Sequence, residues 1–260
     1  MLDFITAGPK LRKWYGEGER GAAVAQPTGR GGADGGEAPD AQRTAVLVTD
    51  VDSATGEQVV LQLILARQEV RLLTRDPAAA RSSFGEYVTP VDGHVGDPRS
   101  MAAALRGVRT IICTGRLGAL LPAAAAAGVE HIVLLTAAGD GGGGPLGSLL
   151  GGEEAVLRDA GRERAVAQSG VPHTLVRTGA LRSVPAGSEG PRLLQGPLPA
   201  DLAAGAVSRE DAAAVLAGAL APPSGGRREI CVLASGDSPA AVPVREQLDN
   251  VLAEEQPPPS

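Results

Sequence analysis

Residues 45–65 fix the start of the fold. An apolar run, Ala45 to Val48, enters a turn at Thr49, and beyond Gly56 the apolar residues recur with helical spacing. A strand that feeds a helix through a short turn aims the helix's unpaired N–H groups at the strand's C-terminal end, where they and the helix dipole attract anions. Turns that cradle a phosphate in this way use three glycines. One makes the turn tight, one lets backbone N–H groups approach the anion, and one lets the helix pack on the strand. Asp50, Ser53 and Gly56 stand at those three places. Gly56 keeps the packing role. Asp50 and Asp52 would each set a carboxylate beside a bound phosphate, and like charges about 4–6 Å apart repel by roughly one to a few kcal/mol. Two readings follow: the aspartates cap the helix and occupy the anion site themselves, or the loop still holds a phosphate. Thr55 with Gln58 spells a capping box, a structural signal.

From Thr44 onward, strand-like and helix-like segments alternate, which predicts a parallel sheet with helices on both faces. Strands are predicted at Ala45 to Val48, Val70 to Thr74, Tyr87 to Val91, Thr110 to Cys113, His131 to Thr136, His173 to Arg177 and Ile230 to Leu233. Helices are predicted at Ser100 to Arg106, Ala119 to Ala127, Glu153 to Gln168 and Ser208 to Leu220, the last with Ser208 as N-cap and Asp211 completing a box. The glycine run at 139–144 reads as a loop, and 180–206 lacks any period and reads as an irregular crossover. The expected fold class is α/β: one doubly wound parallel sheet of about seven strands, with an N-terminal arm. The expected organisation is an arm and linker at 1–43, the sheet domain at 44–237 and a tail at 238–260, ending in E-E-Q-P-P-P-S.

Composition narrows the classes of partner. The 24 Lys+Arg against 30 Asp+Glu give a net charge of -6, which argues against electrostatic nucleic-acid binding. Aromatic residues make up 2% of the chain, too few for a base-stacking platform. Three of the five aromatics, Phe4, Trp14 and Tyr15, stand in residues 1–21 before a Gly/Ala-rich linker. The arm either docks on its own domain or grips a protein partner. The apolar stretch from Leu117 to Val129 is broken by Pro122 and Gly128, so no segment suits a membrane span, and no secretory signal opens the chain. Cys113 and Cys231 lie in apolar strand-like runs and read as buried free thiols in a reducing compartment. The histidines and cysteines show no metal-ligand spacing.

Five segments resemble one family in the right order. V-L-V-T with the turn to Gly56 resembles V-L-V-T-G-A-T-G-x-x-G. Gly96-Asp97 followed by S-M-A-A-A-L-R-G-V resembles G-D-x-x-x-S-L-x-x-A-L-x-G-V. G-V-E-H-I-V-L-L-T from Gly128, S-G-V-P-H-T-L-V-R-T-G from Ser169 and V-S-R-E-D-A-A from Val207 complete the series. Over about 44–235 the chain resembles an atypical short-chain dehydrogenase/reductase (SDR) of the NAD(P)-binding, NmrA-like, Rossmann-like kind. I-C-T-G from Ile112 and R-T-G-A-L from Arg177 look most like plastid members from plants and algae. That likeness implies the chloroplast stroma, with any transit peptide lying upstream, since Asp3, Glu17 and Glu19 are too acidic for one.

The resemblance places a cofactor site at Thr49, Asp50, Ser53, Ala54, Thr55, Gly56, Arg75, Asp97, Gly115 and Thr136. Arg75, ending the second strand, would favour NADP(H) over NAD(H); as a solvated arginine it would do nothing. Asp97 would lie near the adenine or simply cap a helix. Gly115 would lie by the nicotinamide ribose or be a turn glycine. Thr136 stands near the place of the family's serine. The tyrosine and lysine that usually move the proton in this superfamily have no counterparts here. Tyr15 and Tyr87 are the only tyrosines, and Lys10 and Lys13 the only lysines. No catalytic residue is assigned on this reading. It favours a non-catalytic scaffold, assembly or regulatory subunit with weak or lost NADP(H) binding, against an NADPH-dependent oxidoreductase or an NADP(H)-responsive redox sensor.

Overall fold

A computed structural model describes residues 43–138, 152–199, 202, 205–234 and 242–253. The aromatic arm with its linker, the glycine run and the E-E-Q-P-P-P-S end lie outside the described residues. The main sheet has eight strands in the order β3-β2-β1-β4-β5-β6-β10-β8. They are β1 (Ala45–Val48), β2 (Val70–Thr74), β3 (Val88–Asp92), β4 (Val108–Cys113), β5 (His131–Ala137), β6 (His173–Thr178), β8 (Pro191–Gln195) and β10 (Arg227–Ala234). All neighbours are parallel except β8, which runs antiparallel to β10 with Ile230 opposite Gln195. A separate ribbon pairs β7 (Ala180–Arg182) with β9 (Ala206–Ser208).

Helices cover both faces. They are α1 (Ala54–Leu65), α2 (Pro77–Phe84), α3 (Pro98–Ala104), α4 (Leu120–Ala127), α5 (Glu153–Leu157), α6 (Ala160–Gln168), α7 (Arg209–Gly218) and α8 (Val244–Ala253). Successive strand residues point to opposite faces, so one strand feeds two cores. Val46 and Val48 join Val59, Leu63, Ile112, Val133, Val215 and Leu248 on one side. Ala45 and Leu47 join Met101, Ile111, Leu120, Ile132, Leu134 and Val166 on the other. This double burial explains why the strands read as unbroken apolar runs.

Several expectations change. The stretch 180–206 holds β7, β8 and the start of β9 rather than an irregular crossover. Its strands are short and its pairings are made with distant segments, so no local period marks them. The region assigned to a tail contains α8, which buries Val244 and Leu248. Gln247 on α8 binds both polar directions of β8, accepting from the Leu193 N–H at 3.0 Å and donating to the Pro191 carbonyl at 2.9 Å. The edge strand is thereby covered. The single helix expected at 153–168 is broken at Asp159, whose carboxylate caps α6 by accepting from the Gly161 N–H. Helix α2, not anticipated, begins with Pro77 behind the N-cap Asp76. Ser208 caps α7 as its sequence indicates, and Cys113 and Cys231 are buried free thiols.

His131 illustrates how the interior treats a polar group. It is 0% exposed. Its Nδ1 donates to the Leu220 carbonyl at 3.0 Å, which leaves Nε2 to accept from the Thr174 hydroxyl at 2.9 Å. Burial first, then the nearby Arg228, His173 and Arg109, lower its pKa from 6.5 to about 4, against the opposing pull of the Leu220 bond. The unfolded chain therefore takes up this proton at higher pH than the folded one. The stability contributed by a neutral His131 is complete above about pH 6.5 and is lost as pH falls towards 4, to the extent of about 3 kcal/mol. Urea unfolding across that window should show this slope, and His131→Gln, though less stable near neutrality, should flatten it. Equal slopes would refute the assignment.

Candidate dinucleotide cleft

The chain leaves β1 in one direction across the sheet and reaches β4 in the other. Such a switch point opens a crevice beyond the strands' C-terminal ends. A cleft of about 410 Å³ lies there. The β1–α1 turn supplies Thr49, Asp50, Asp52 and Ser53, and the end of β2 supplies Thr74 and Arg75. His94 follows β3, Thr114, Gly115 and Arg116 follow β4, and Glu153 and Val156 come from α5.

The turn is held by its own atoms. The Ser53 hydroxyl donates to the Asp50 carbonyl at 2.9 Å and accepts from the Gly56 N–H at 2.9 Å. Ser53 is therefore the N-cap of α1. The box expected from Thr55 and Gln58 does not form. Thr55 lies inside the helix, and both its hydroxyl and the Gln58 side-chain oxygen are buried without a hydrogen-bond partner among the described residues. Neither aspartate caps the helix. A Cβ on Gly56 would fall 1.8 Å from the Asp50 carbonyl oxygen. The third glycine is thus required by close packing of α1 on the turn, as the sequence implies.

Of the ten residues assigned to the site, the cleft brings together Thr49, Asp50, Ser53, Arg75 and Gly115. Ala54, Thr55 and Gly56 build the helix start behind it and do not line it. Asp97 caps α3, accepting from the N–H groups of Arg99 and Ser100. The Ser100 hydroxyl and then those N–H groups hold the Asp97 carboxyl below its ordinary range. Thr136 is buried away from the cleft, with its hydroxyl against the Leu157 carbonyl at 3.0 Å and Glu163 at 2.9 Å. Glu163 is in turn paired with Arg177 at 2.7 Å. Thr136 therefore ties β5 to α5 and α6 and takes no part in the cleft.

Sequence reading passed over Thr114, His94, Arg116 and Glu153. Arg116 follows Gly115 directly and could have been noted. Glu153 is brought in only by tertiary structure; one oxygen pairs with Arg209 at 3.0 Å, and the other is buried without a partner among the described residues. Arg209 also reaches the Ser183 hydroxyl at 3.1 Å, tying α5 to the segment after β7.

Whether these residues fit a dinucleotide has two answers. The hydroxyls of Thr49 and of Thr114, the latter 1% exposed, are buried beside the cleft with no partner among the described residues, which leaves their hydrogen-bonding capacity unspent there. Arg75 is exposed on the rim. The adjacent Asp76 caps α2, its Oδ1 accepting from the Ala79 N–H at 2.9 Å. These features suit an anionic nucleotide end. The opposite side is acidic. The half-buried Asp50 carboxyl is pushed above its ordinary range by burial first; Glu153 and Asp52 add to this, while Ser53 and Arg162 oppose it.

This architecture defines a NAD(P)H-binding Rossmann-like domain. The chain belongs to the NAD(P)H-binding family, whose model matches residues 52–223. It is 30% identical over 135 residues to the NAD(P)H azoreductase of Xenophilus azovorans, covering 48% of this chain and 47% of that protein. The chain thus spans about half the length of that curated relative. Among solved structures, the oxidoreductase ylbE from Lactococcus lactis aligns with a TM-score of 0.60 at 16% identity, covering 82% of this chain and 99% of that one. The anaerobillin reductase ChuY of Escherichia coli O157:H7 aligns with a TM-score of 0.59 at 22% identity, covering 76% and 100%. At these identities the two structures bear on the fold alone.

The turn's packing gives a direct test. Gly56→Ala should destabilise the domain by about 1–3 kcal/mol, because the new methyl overlaps backbone that cannot yield, and Ser53→Ala by about 1 kcal/mol through loss of the cap. Denaturant midpoints report both, and an unchanged midpoint for Gly56→Ala would contradict the packing described here.

Proposed function

We propose that the protein is an NADP(H)-dependent oxidoreductase. The observation that supports this most is Arg75 on the rim of the switch-point cleft, where its guanidinium could meet a 2′-phosphate. Family membership and the azoreductase relative support the reaction class. Bound NADPH supplies a hydride. Thr49 and Thr114 offer hydroxyls to the ligand, and Arg75 offers a planar fork suited to phosphate. The sequence holds no Tyr–Lys pair, so the acceptor class that fits is a conjugated one, such as an azo compound, quinone or flavin. Hydride addition leaves such a molecule with a delocalised anion that takes its proton from water without a protein acid.

The missing pair also favours a second reading: a non-catalytic assembly subunit, or an NADP(H)-responsive sensor. Its arm, with Phe4, Trp14 and Tyr15, would hold a protein partner, and its plastid-like motifs point to the chloroplast stroma.

Calorimetric titration separates cofactor preference from activity. NADPH should bind at least about tenfold more tightly than NADH, and Arg75→Ala should abolish that difference. Loss of NADPH absorbance with a panel of azo dyes, quinones and flavins should reveal turnover. Tight NADPH binding without turnover on any acceptor would favour the second reading.

A further inference from the structure

We infer that Asp50 controls access of a dinucleotide to the cleft: its carboxylate fills the cradle above Gly115 that a pyrophosphate-bearing ligand needs, so NADP(H) enters together with a proton. This rests on the reading of NADP(H) as the ligand. A glycine at the end of β4 leaves an open face towards the cleft, yet a Cβ on Gly115 would lie 2.8 Å from the Cβ, Cγ and Oδ2 of Asp50. The space vacated by the missing side chain is occupied by a carboxylate from the neighbouring strand's turn.

The backbone beneath that carboxylate has nowhere to go. The Asp50 carbonyl accepts from the Ser53 hydroxyl at 2.9 Å and from the Ser53 N–H at 3.4 Å. Gly56 packs against the same oxygen. The turn therefore cannot swing Asp50 aside, and the conflict with an anion is relieved at the side chain, by rotation or by protonation. The charged surroundings favour protonation. Glu153 from α5 and Asp52 from the same turn add negative charge, and Arg162 from α6 opposes them. The Arg162 guanidinium donates to the carbonyls of Leu135 at 3.0 Å and Val156 at 3.2 Å, and its Nε has no partner among the described residues. The remaining charged or titratable groups lining the cleft are Arg75, His94 and Arg116. Burial already raises the Asp50 carboxyl, and a pyrophosphate beside it would raise it further, so binding takes up a proton and tightens as pH falls.

The test must isolate Asp50 from the cationic groups of the cleft. Full-length wild type, Asp50→Asn and Asp50→Gly are titrated with NADPH and with adenosine 2′-monophosphate between about pH 6 and about pH 8, in buffers of different ionisation enthalpy. The monophosphate carries the 2′-phosphate and no pyrophosphate, so it reads Arg75 and His94 without Asp50. Both variants should bind NADPH roughly 10–100-fold more tightly than wild type at the high-pH end, with the gap closing as pH falls. Their affinity for the monophosphate should match wild type, and proton uptake on NADPH binding should be seen in wild type alone. Equal NADPH affinities in wild type and Asp50→Asn at every pH, with the monophosphate still bound, would overturn the role of Asp50 and leave the NADP(H) reading standing. Absence of binding of either ligand to all three folded proteins would overturn that reading and this inference with it.

Discussion

The α-carbon of Gly56 and the carbonyl of Asp50 share so little space that no side chain fits between them. That contact locks the first turn of α1 onto the end of β1. Ser53 completes the lock by holding the Asp50 carbonyl and the Gly56 N–H with one hydroxyl. The C-terminal edge of the sheet is organised around this joint. It sets the direction of α1 across one core, fixes where β1 ends, and thereby fixes the floor of the cleft opposite β4. A turn held this firmly also immobilises whatever side chain stands at its first position. In this chain that side chain is an aspartate.

Polar groups elsewhere are used as rivets between elements. Arg162, 4% exposed, ties α6 to β5 and α5 through two carbonyls. Arg177 joins Glu163 on α6 to Glu229 on β10. His131 links β5 to β6 and to the segment after α7. Arg162 and His131 are buried and Arg177 is largely so; the guanidinium NH groups and the imidazole find partners, which is the condition under which such groups are tolerated in an interior, while the Arg162 Nε has none among the described residues. The hydroxyls of Thr49 and Thr114 are different: they are buried beside the cleft with no partner among the described residues.

How much was legible follows from the range of the interactions concerned. Parallel strands buried on both faces are apolar runs, and all seven predicted strands exist, with β10 longer and β8 added at the edge. The cap at Ser208 and the packing glycine at Gly56 are local devices and could be read directly. The Thr55–Gln58 box matches a local pattern that fails because Ser53 starts the helix two residues earlier. Within the site, Thr49, Asp50, Ser53, Arg75 and Gly115 were legible because each ends a strand or follows one. Thr136 also lies near the end of a strand, but its hydroxyl is captured by Leu157 and Glu163, a choice made by the break between α5 and α6.

By itself the sequence determined the α/β class, the order of the parallel strands' segments, the joint at Gly56, and the absence of a tyrosine–lysine pair, because these depend on residue type and short-range spacing. The tertiary structure decided three further things: that β8 reverses to close the sheet's edge under α8, that Glu153 and Arg116 reach the same cleft, and that the Asp50 carboxylate lies over Gly115 rather than capping α1. Each of these is a meeting of segments far apart in the chain. Their contacts depend on backbone placement to within an ångström, and no periodicity along the chain records such distances.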